Sequence, residues 1–148
     1  MKKNYFKTVI SVFTLCALLG IGCLVAYAST VYSNWKYFGP INGYYYQNRG
    51  SASKYTDSVQ GGSTIMPQWG GTAPANYMAV QGRLFDSDNY LILQGNWYFN
   101  EEVSYGISSV TGLWDENGIY YGRGDTAAYN GDGYTHYLTY QSPNVRLP

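Results

Sequence analysis

Beyond residue 28 the chain has no cysteine; its only two, Cys16 and Cys23, lie near the N-terminus. That part of the protein can therefore form no disulfide, run no thiolate chemistry and bind no cysteine-ligated zinc. Histidine occurs once, at His136, and charge is scarce: Asp, Glu, Lys and Arg together make up 12% of the residues. After residue 28 six basic side chains stand against nine acidic ones, a net charge of −3, with no basic patch or stripe. Nucleic-acid binding therefore has no electrostatic footprint. No window of ten or more residues in this region repeats apolar side chains at helical spacing, and no glycine loop of the phosphate-cradling kind precedes a helix. Stability has to come from packing and hydrogen bonds alone.

What the chain does have begins with an address. Residues 1–7 carry Lys2, Lys3 and Lys7, residues 9–25 are an apolar run, and Ala26-Tyr27-Ala28 follows. A basic start, an apolar stretch and a small-x-small end form a secretory signal peptide, with cleavage expected after Ala28. The run approaches the length of a membrane span, so a retained anchor is the alternative. Gly20-Ile21-Gly22-Cys23 also suggests lipidation, but Leu24 and Val25 continue the apolar run where a lipoprotein should turn polar. The expectation is a secreted, extracellular protein of one domain, residues 29–148, that meets the membrane only through its signal peptide during export.

The most patterned stretch is residues 77–99, YMAVQGRLFDSDNYLILQGNWYF. Met78, Val80, Gly82 and Leu84 alternate with Tyr77, Ala79, Gln81 and Arg83, and Leu91, Leu93, Gly95, Trp97 and Phe99 are set against Tyr90, Ile92, Gln94 and Asn96. Period two over this length marks half-buried strands, and Asp86-Ser87-Asp88-Asn89 supplies the turn between them. Folding about that turn sets Phe85 against Tyr90, Leu84 against Leu91, Val80 against Gly95, Met78 against Trp97 and Tyr77 against Tyr98. This hairpin is expected to be the centre of the core. Strands are also expected over residues 31–38, 44–48, 58–66 (broken by a bulge at Gly61-Gly62), 103–113, 119–129 and 134–141. Glycine-rich turns separate them, and residues 142–148 trail off. Seven to nine short strands at spacings near ten residues indicate an all-β fold, an antiparallel β-sandwich of jelly-roll or Ig-like kind.

Tyrosine is the compositional surplus, with 18 in the chain beside four tryptophans. A buried phenol needs a hydrogen-bond partner, and a domain of this size cannot bury them all. Adjacent rings in Tyr44-Tyr45-Tyr46 and Tyr120-Tyr121 fall on opposite faces of a strand, so at least one ring of each set is expected outward. Tyr129 should face Tyr134 across the last hairpin. One reading is that strands simply favour tyrosine on a half-exposed surface. The other is an aromatic binding face formed by Tyr44, Tyr46, Tyr77, Tyr98, Tyr120, Tyr129 and Tyr134, suited to sugar faces or a partner protein.

Catalytic chemistry is sparse. With Tyr129 paired to Tyr134, Asp125 lies diagonally across from His136, a conceivable acid–base dyad with no nucleophile set by spacing. Glu101-Glu102 and Asp115-Glu116 are neighbours whose carboxylates point apart in extended chain, unlike the converging pair of a glycosidase. Asp86, Asp88 and Asn89, like the turn at residues 130–133, offer oxygens that calcium accepts, but turn chemistry accounts for them equally. No catalytic residue, metal site or cofactor is assigned.

Residues 126–143, TAAYNGDGYTHYLTYQSP, taken with the signal peptide, resemble the C-terminal segments of small secreted, uncharacterised proteins of Gram-positive bacteria. The resemblance implies an extracellular location and supplies no site. The expected function is a non-enzymatic exported sandwich that binds a cell-wall polysaccharide or a surface protein through exposed aromatics. A secreted bacteriocin-like or toxin-like antagonist is the alternative, weakened by the lack of an amphipathic helix, and a hydrolase built on Asp125 and His136 comes third.

Overall fold

The computed structural model describes residues 28–148. The apolar run and Cys23 lie outside the described residues, and with them the choice between signal peptide, anchor and lipidation. Apart from one three-residue turn of 3-10 helix, every regular element described is a strand, and all pairings are antiparallel. The fold is an all-β antiparallel sandwich, as the alternation and turn spacing implied.

One layer is a five-stranded sheet. β3 (Tyr44–Lys54) and β4 (Val59–Pro67) are its long central strands. β1 (Ser29–Tyr32) and β2 (Lys36–Ile41) pair in succession with β3, and β9 (Ile107–Val110) closes the edge beside β4. Facing it are two four-stranded sheets. The first has the order β12 (Tyr134–Leu138), β11 (Asp125–Tyr129), β5 (Met78–Gln81), β8 (Tyr98–Phe99). The second has the order β13 (Val145–Leu147), β10 (Gly118–Gly122), β6 (Arg83–Asp86), β7 (Leu91–Gln94). Each position is filled by a neighbouring piece of the same stretch of chain: β5 with β6, β8 with β7, β11 with β10, β12 with β13. Together they form one four-ribbon layer, bent across its middle.

Backbone hydrogen bonds continue through the bend. The Gly95 N–H donates to the Gly82 carbonyl (2.9 Å), Arg123 to Arg83 (3.2 Å), Thr139 to Gly124 (3.0 Å) and Ser142 to Gly122 (2.9 Å). The bend presses against the five-stranded sheet so closely that side chains are excluded there. A Cβ on Gly82 would lie 2.7 Å from the Ser109 carbonyl, and one on Gly50 would lie 2.7 Å from the carbonyls of Gly122 and Tyr140. Glycine is the residue that permits such backbone approach. This crease divides the core in two. Tyr46, Ile65, Met78, Val80, Ile107 and Ala128 fill the lobe under β5 and β11. Val59, Leu84, Tyr120 and Leu147 fill the lobe under β6 and β10.

Several expectations are corrected by this arrangement. The stretch 77–99 does turn at residues 86–89, with the Asp86 Oδ1 accepting the N–H of Asp88 and of Tyr90 (both 2.9 Å). Its pairing, however, runs Phe85 with Leu91, Leu84 with Leu93 and Ala79 with Phe99. A bulge between Leu84 and Phe85 moves the partners by two residues, an even step that keeps Leu93 on the side of Leu84. The break at the crease adds one more, so β8 alone shows its opposite face, with Phe99 opposite Ala79. Only the first half is central: Met78, Ala79, Val80 and Gln81 are all buried. The second half forms sheet edges and leaves Leu91 48% exposed. Gly61-Gly62 makes no bulge, because β4 runs unbroken through it. Residues 119–129 are two strands meeting at the crease, and residues 142–148 include β13, whose Leu147 is buried. Thirteen strands are thus described; with each bent pair counted as one ribbon they reduce to nine.

Candidate functional site

The seven tyrosines singled out from the sequence separate into three groups. Tyr46 and Tyr120 are buried, at 0% and 5% exposure, so neither belongs to a binding face. Tyr120 is satisfied inside, donating its hydroxyl to the Glu116 carbonyl (2.9 Å) and accepting from the Trp114 indole N–H (3.0 Å). Its neighbour Tyr121 is buried as well, stacked on Phe85 with its hydroxyl on Asn89 Oδ1, so the Tyr120-Tyr121 pair puts no ring outward. Both faces of β10 are covered, which an alternation argument does not foresee. In the first set it is Tyr45, 42% exposed, that faces out. Tyr98 is exposed but sits opposite Val80, not Tyr77, and apart from the other rings.

The remaining four come together. Tyr44 meets Tyr77 edge-on (5.4 Å between centroids), Tyr77 meets Tyr129 (5.2 Å) and Tyr129 meets Tyr134 (5.8 Å), across the strand pair expected for the last hairpin. Tyr46 and Phe38 extend this row into the core, and Phe99 extends it onto the outer face by its edge-on contact with Tyr134 (5.5 Å).

Burial pushes the Tyr46 phenol well above the ordinary tyrosine range, with Tyr44 and Tyr77 adding to the effect, and its hydroxyl has no hydrogen-bond partner among the described residues. A raised folded-state value means the native protein keeps this proton after the unfolded chain has lost it near pH 10. Its contribution is therefore full below pH 10 and is lost as pH rises further, at up to about 1.4 kcal/mol per pH unit. Tyr46→Phe should shallow that decline and hold or raise stability at pH 7 by up to about 1 kcal/mol, since it removes an unpartnered buried hydroxyl. Urea melts of both proteins at pH 7 and pH 10.5 measure this.

On the outer face of the sheet containing β5 and β11, the row His136, Ala127, Ala79, Phe99 crosses all four strands. Alanine on the two central strands lets the flanking rings lean inward. Trp97 packs edge-on against His136 (5.2 Å, 90°), as Phe99 does against Tyr134. Between these pairs lies a trough of about 160 Å³, floored by Ala79 and Ala127 and walled by Trp97, Phe99, Tyr134 and His136. The even alternation places Trp97 and Phe99 on the Met78 side, toward the core; the odd shift in pairing at β8 turns Phe99 onto the Ala79 face and sets Trp97 in the trough wall.

A polar cluster stands behind His136. Its Nδ1–H donates to Asp125 Oδ2 (3.3 Å), which leaves Nε2 as the ring's free polar atom. Asp125 Oδ2 also receives Arg83 Nη2 (3.4 Å), and Arg83 donates twice to Gln81 Oε1 (3.0 and 2.9 Å). The expected Asp125–His136 juxtaposition is present, beside the trough, but Asp125 is the only hydrogen-bond partner given to His136 among the described residues. The arrangement thus orients an imidazole through its carboxylate partner. At the two loops with calcium-like oxygens, Asp86 and Asn130 spend a side-chain oxygen on their own turns. No group of three or more His, Cys, Asp or Glu side chains converges among the described residues.

No family model matches the chain, and no curated protein does. Among solved structures it is similar to the X-ray structure of the Northeast Structural Genomics Consortium target SoR45, at 15% identity over 82% of this chain and 83% of that one, with a TM-score of 0.27. At that score the likeness carries no argument.

Proposed function

We propose that this is an exported, non-enzymatic β-sandwich that binds a neutral glycan of the cell envelope in the Trp97–Phe99–Tyr134–His136 trough. The observation that carries the reading is the pairing of flat rings with an alanine floor. An apolar concavity with a few fixed polar atoms is how small-ligand sites are built. Its volume is below the ~300–1,000 Å³ of drug-sized pockets, which suits a single sugar unit of a longer chain. Sugar rings offer weakly polar faces to aromatics and hydroxyls to groups such as His136 Nε2 and the Trp97 indole N–H. The Arg83–Gln81–Asp125 cluster locks the imidazole and leaves little net charge, in keeping with an uncharged ligand. β1 starts at Ser29, directly after the expected cleavage position, and the secretory address supports a role outside the cell.

Titration of the purified domain with neutral cell-wall oligosaccharides, followed by tryptophan fluorescence, tests the proposal. Trp97→Ala is expected to weaken binding about thirtyfold, the loss of an aromatic anchor. Tyr98→Ala, an exposed ring away from the trough, should leave it unchanged. Binding that survives Trp97→Ala, or no binding to any neutral wall fraction, would refute the proposal.

A further inference from the structure

The opposite outer face, that of the five-stranded sheet, holds a different arrangement. On β3 the residues pointing away from the core are Tyr45, Gln47, Arg49, Ser51 and Ser53. Arg49 is the only charged residue among the outward strand positions of this sheet; the others are Tyr, Gln, Ser, Thr, Met, Val or Gly. Its guanidinium lies 4.0 Å from the Tyr32 ring centroid and 4.3 Å from that of Trp35, a sandwich well inside cation–π range. Among the described residues Arg49 forms no ion pair, and its buried Nε has no hydrogen-bond partner. A guanidinium held flat by two rings keeps its donors on its edge, in the fork geometry that matches a carboxylate or a phosphate.

A second feature lies on the same face. Trp69 is 82% exposed and has left-handed backbone angles (φ 58°, ψ 26°). Exposing a large indole and holding a non-glycine residue in that region are both unfavourable, the latter by about 1–3 kcal/mol. The turn is nevertheless fastened, because the Gln68 side-chain amide donates to the Tyr46 carbonyl (2.6 Å). Trp69 leans on Tyr45 (5.2 Å between centroids). Tyr45 and Arg49 are four residues apart on one strand, about 13 Å. Rings at one end and an unpaired planar cation at the other fit a chain that alternates sugar faces with oxyanions.

We propose that Arg49, clamped by Tyr32 and Trp35, binds a carboxylate or phosphate group of an anionic glycopolymer whose sugar rings rest on Tyr45 and Trp69. This site is independent of the neutral-glycan trough on the other face.

Affinity measurements with polygalacturonate, a phosphomannan, inorganic phosphate and phosphatidylglycerol vesicles test it. The wild type should bind at least one of the two polymers, the one it binds naming the oxyanion. Inorganic phosphate and the vesicles should bind at least tenfold more weakly. Arg49→Gln should weaken polymer binding at least tenfold, and Arg49→Lys should weaken it too, since a point charge lacks the stacked fork. Trp69→Ala removes an exposed side chain without threatening the fold and should cost about fivefold, so the proposal stays testable even if the Arg49 variants fold poorly. Trp97→Ala should have no effect here, which separates failure of this site from failure of the trough. Polymer binding unchanged in both Arg49→Gln and Trp69→Ala, no binding to either polymer, or preference for the vesicles or for free phosphate would overturn it.

Discussion

Gly122→Ala is expected to destabilise the domain by at least about 3 kcal/mol and to lower its melting temperature by roughly 10–20 °C. The cause is the crease. A Cβ on Gly122 would occupy the space of the Ser51 carbonyl, and one on Gly124 would meet the Ser63 side chain with the Gln81 carbonyl 2.6 Å away. Ser51 and Ser63 belong to β3 and β4, whose mutual ladder is the longest in the molecule. Relief by moving the five-stranded sheet would open both core lobes, and relief by moving β10 would break the hydrogen bond from Ser142 to the Gly122 carbonyl and that from the Gly122 N–H to Ser142 Oγ (3.0 Å). Neither route is local. Against a total stability of about 5–15 kcal/mol the loss is a large fraction. Gly133→Ala serves as the control, because its Cβ would meet nothing within 4 Å and its φ is not positive; it should melt within a degree or two of the wild type. A Gly122→Ala protein that also melts there would mean the two layers do not touch at the crease.

The same crease explains which parts of this protein were legible in its sequence. Period-two alternation and turn residues gave the strands, because both are local signals. The 86–89 turn and the Tyr129–Tyr134 pair needed nothing beyond a few neighbouring residues, and the Asp125–His136 diagonal followed from that pair. Gly82 and Gly95 were a different matter. In a single hairpin each reads as space for a bulky partner across the ladder, whereas here they are the points where two ribbons bend against Ser109 and Val110 of another sheet. That contact is long-range, so nothing within residues 77–99 announces it. The bulge at Leu84 and Phe85 shifts the pairing by an even step and leaves Leu93 on its expected side. The further residue gained at the crease converts a pattern read correctly into a face assigned wrongly, and Trp97 and Phe99 move from expected core to trough. Tyr46 and Tyr120 illustrate a second limit. Alternation says that neighbouring tyrosines diverge, but which ring goes inward depends on the layer that covers the strand, and β10 is covered on both sides. Arg49 was visible only as one of six scattered cations; its stack with Tyr32 and Trp35 requires the break between β1 and β2, which the sequence presented as one continuous strand.

Leu84→Ala is expected to cost about 3–4 kcal/mol, and its cost should add to that of a substitution in the other lobe. Leu84 is fully buried among Val59, Tyr120 and Leu147, a lobe with only four buried apolar members, so little can collapse into the space it leaves. Leu147 anchors β13 there, and β13 contributes just three residues of ladder to its sheet; loosening it removes the lid of the lobe as well as its filling. Ile65 sits in the larger lobe with Met78 and Val80, on the far side of Gly61 along β4. Ile65→Val there should cost about 1 kcal/mol. If backbone and glycine separate the lobes, the double variant should lose the sum of the two within about 0.5 kcal/mol in urea denaturation, as residues without shared neighbours do. A coupling above 1 kcal/mol would show instead that side-chain packing runs continuously across the crease. Leu84→Ala should likewise weaken stability while leaving the affinity of the proposed trough intact, because the trough over β5 and β11 leans on the larger lobe.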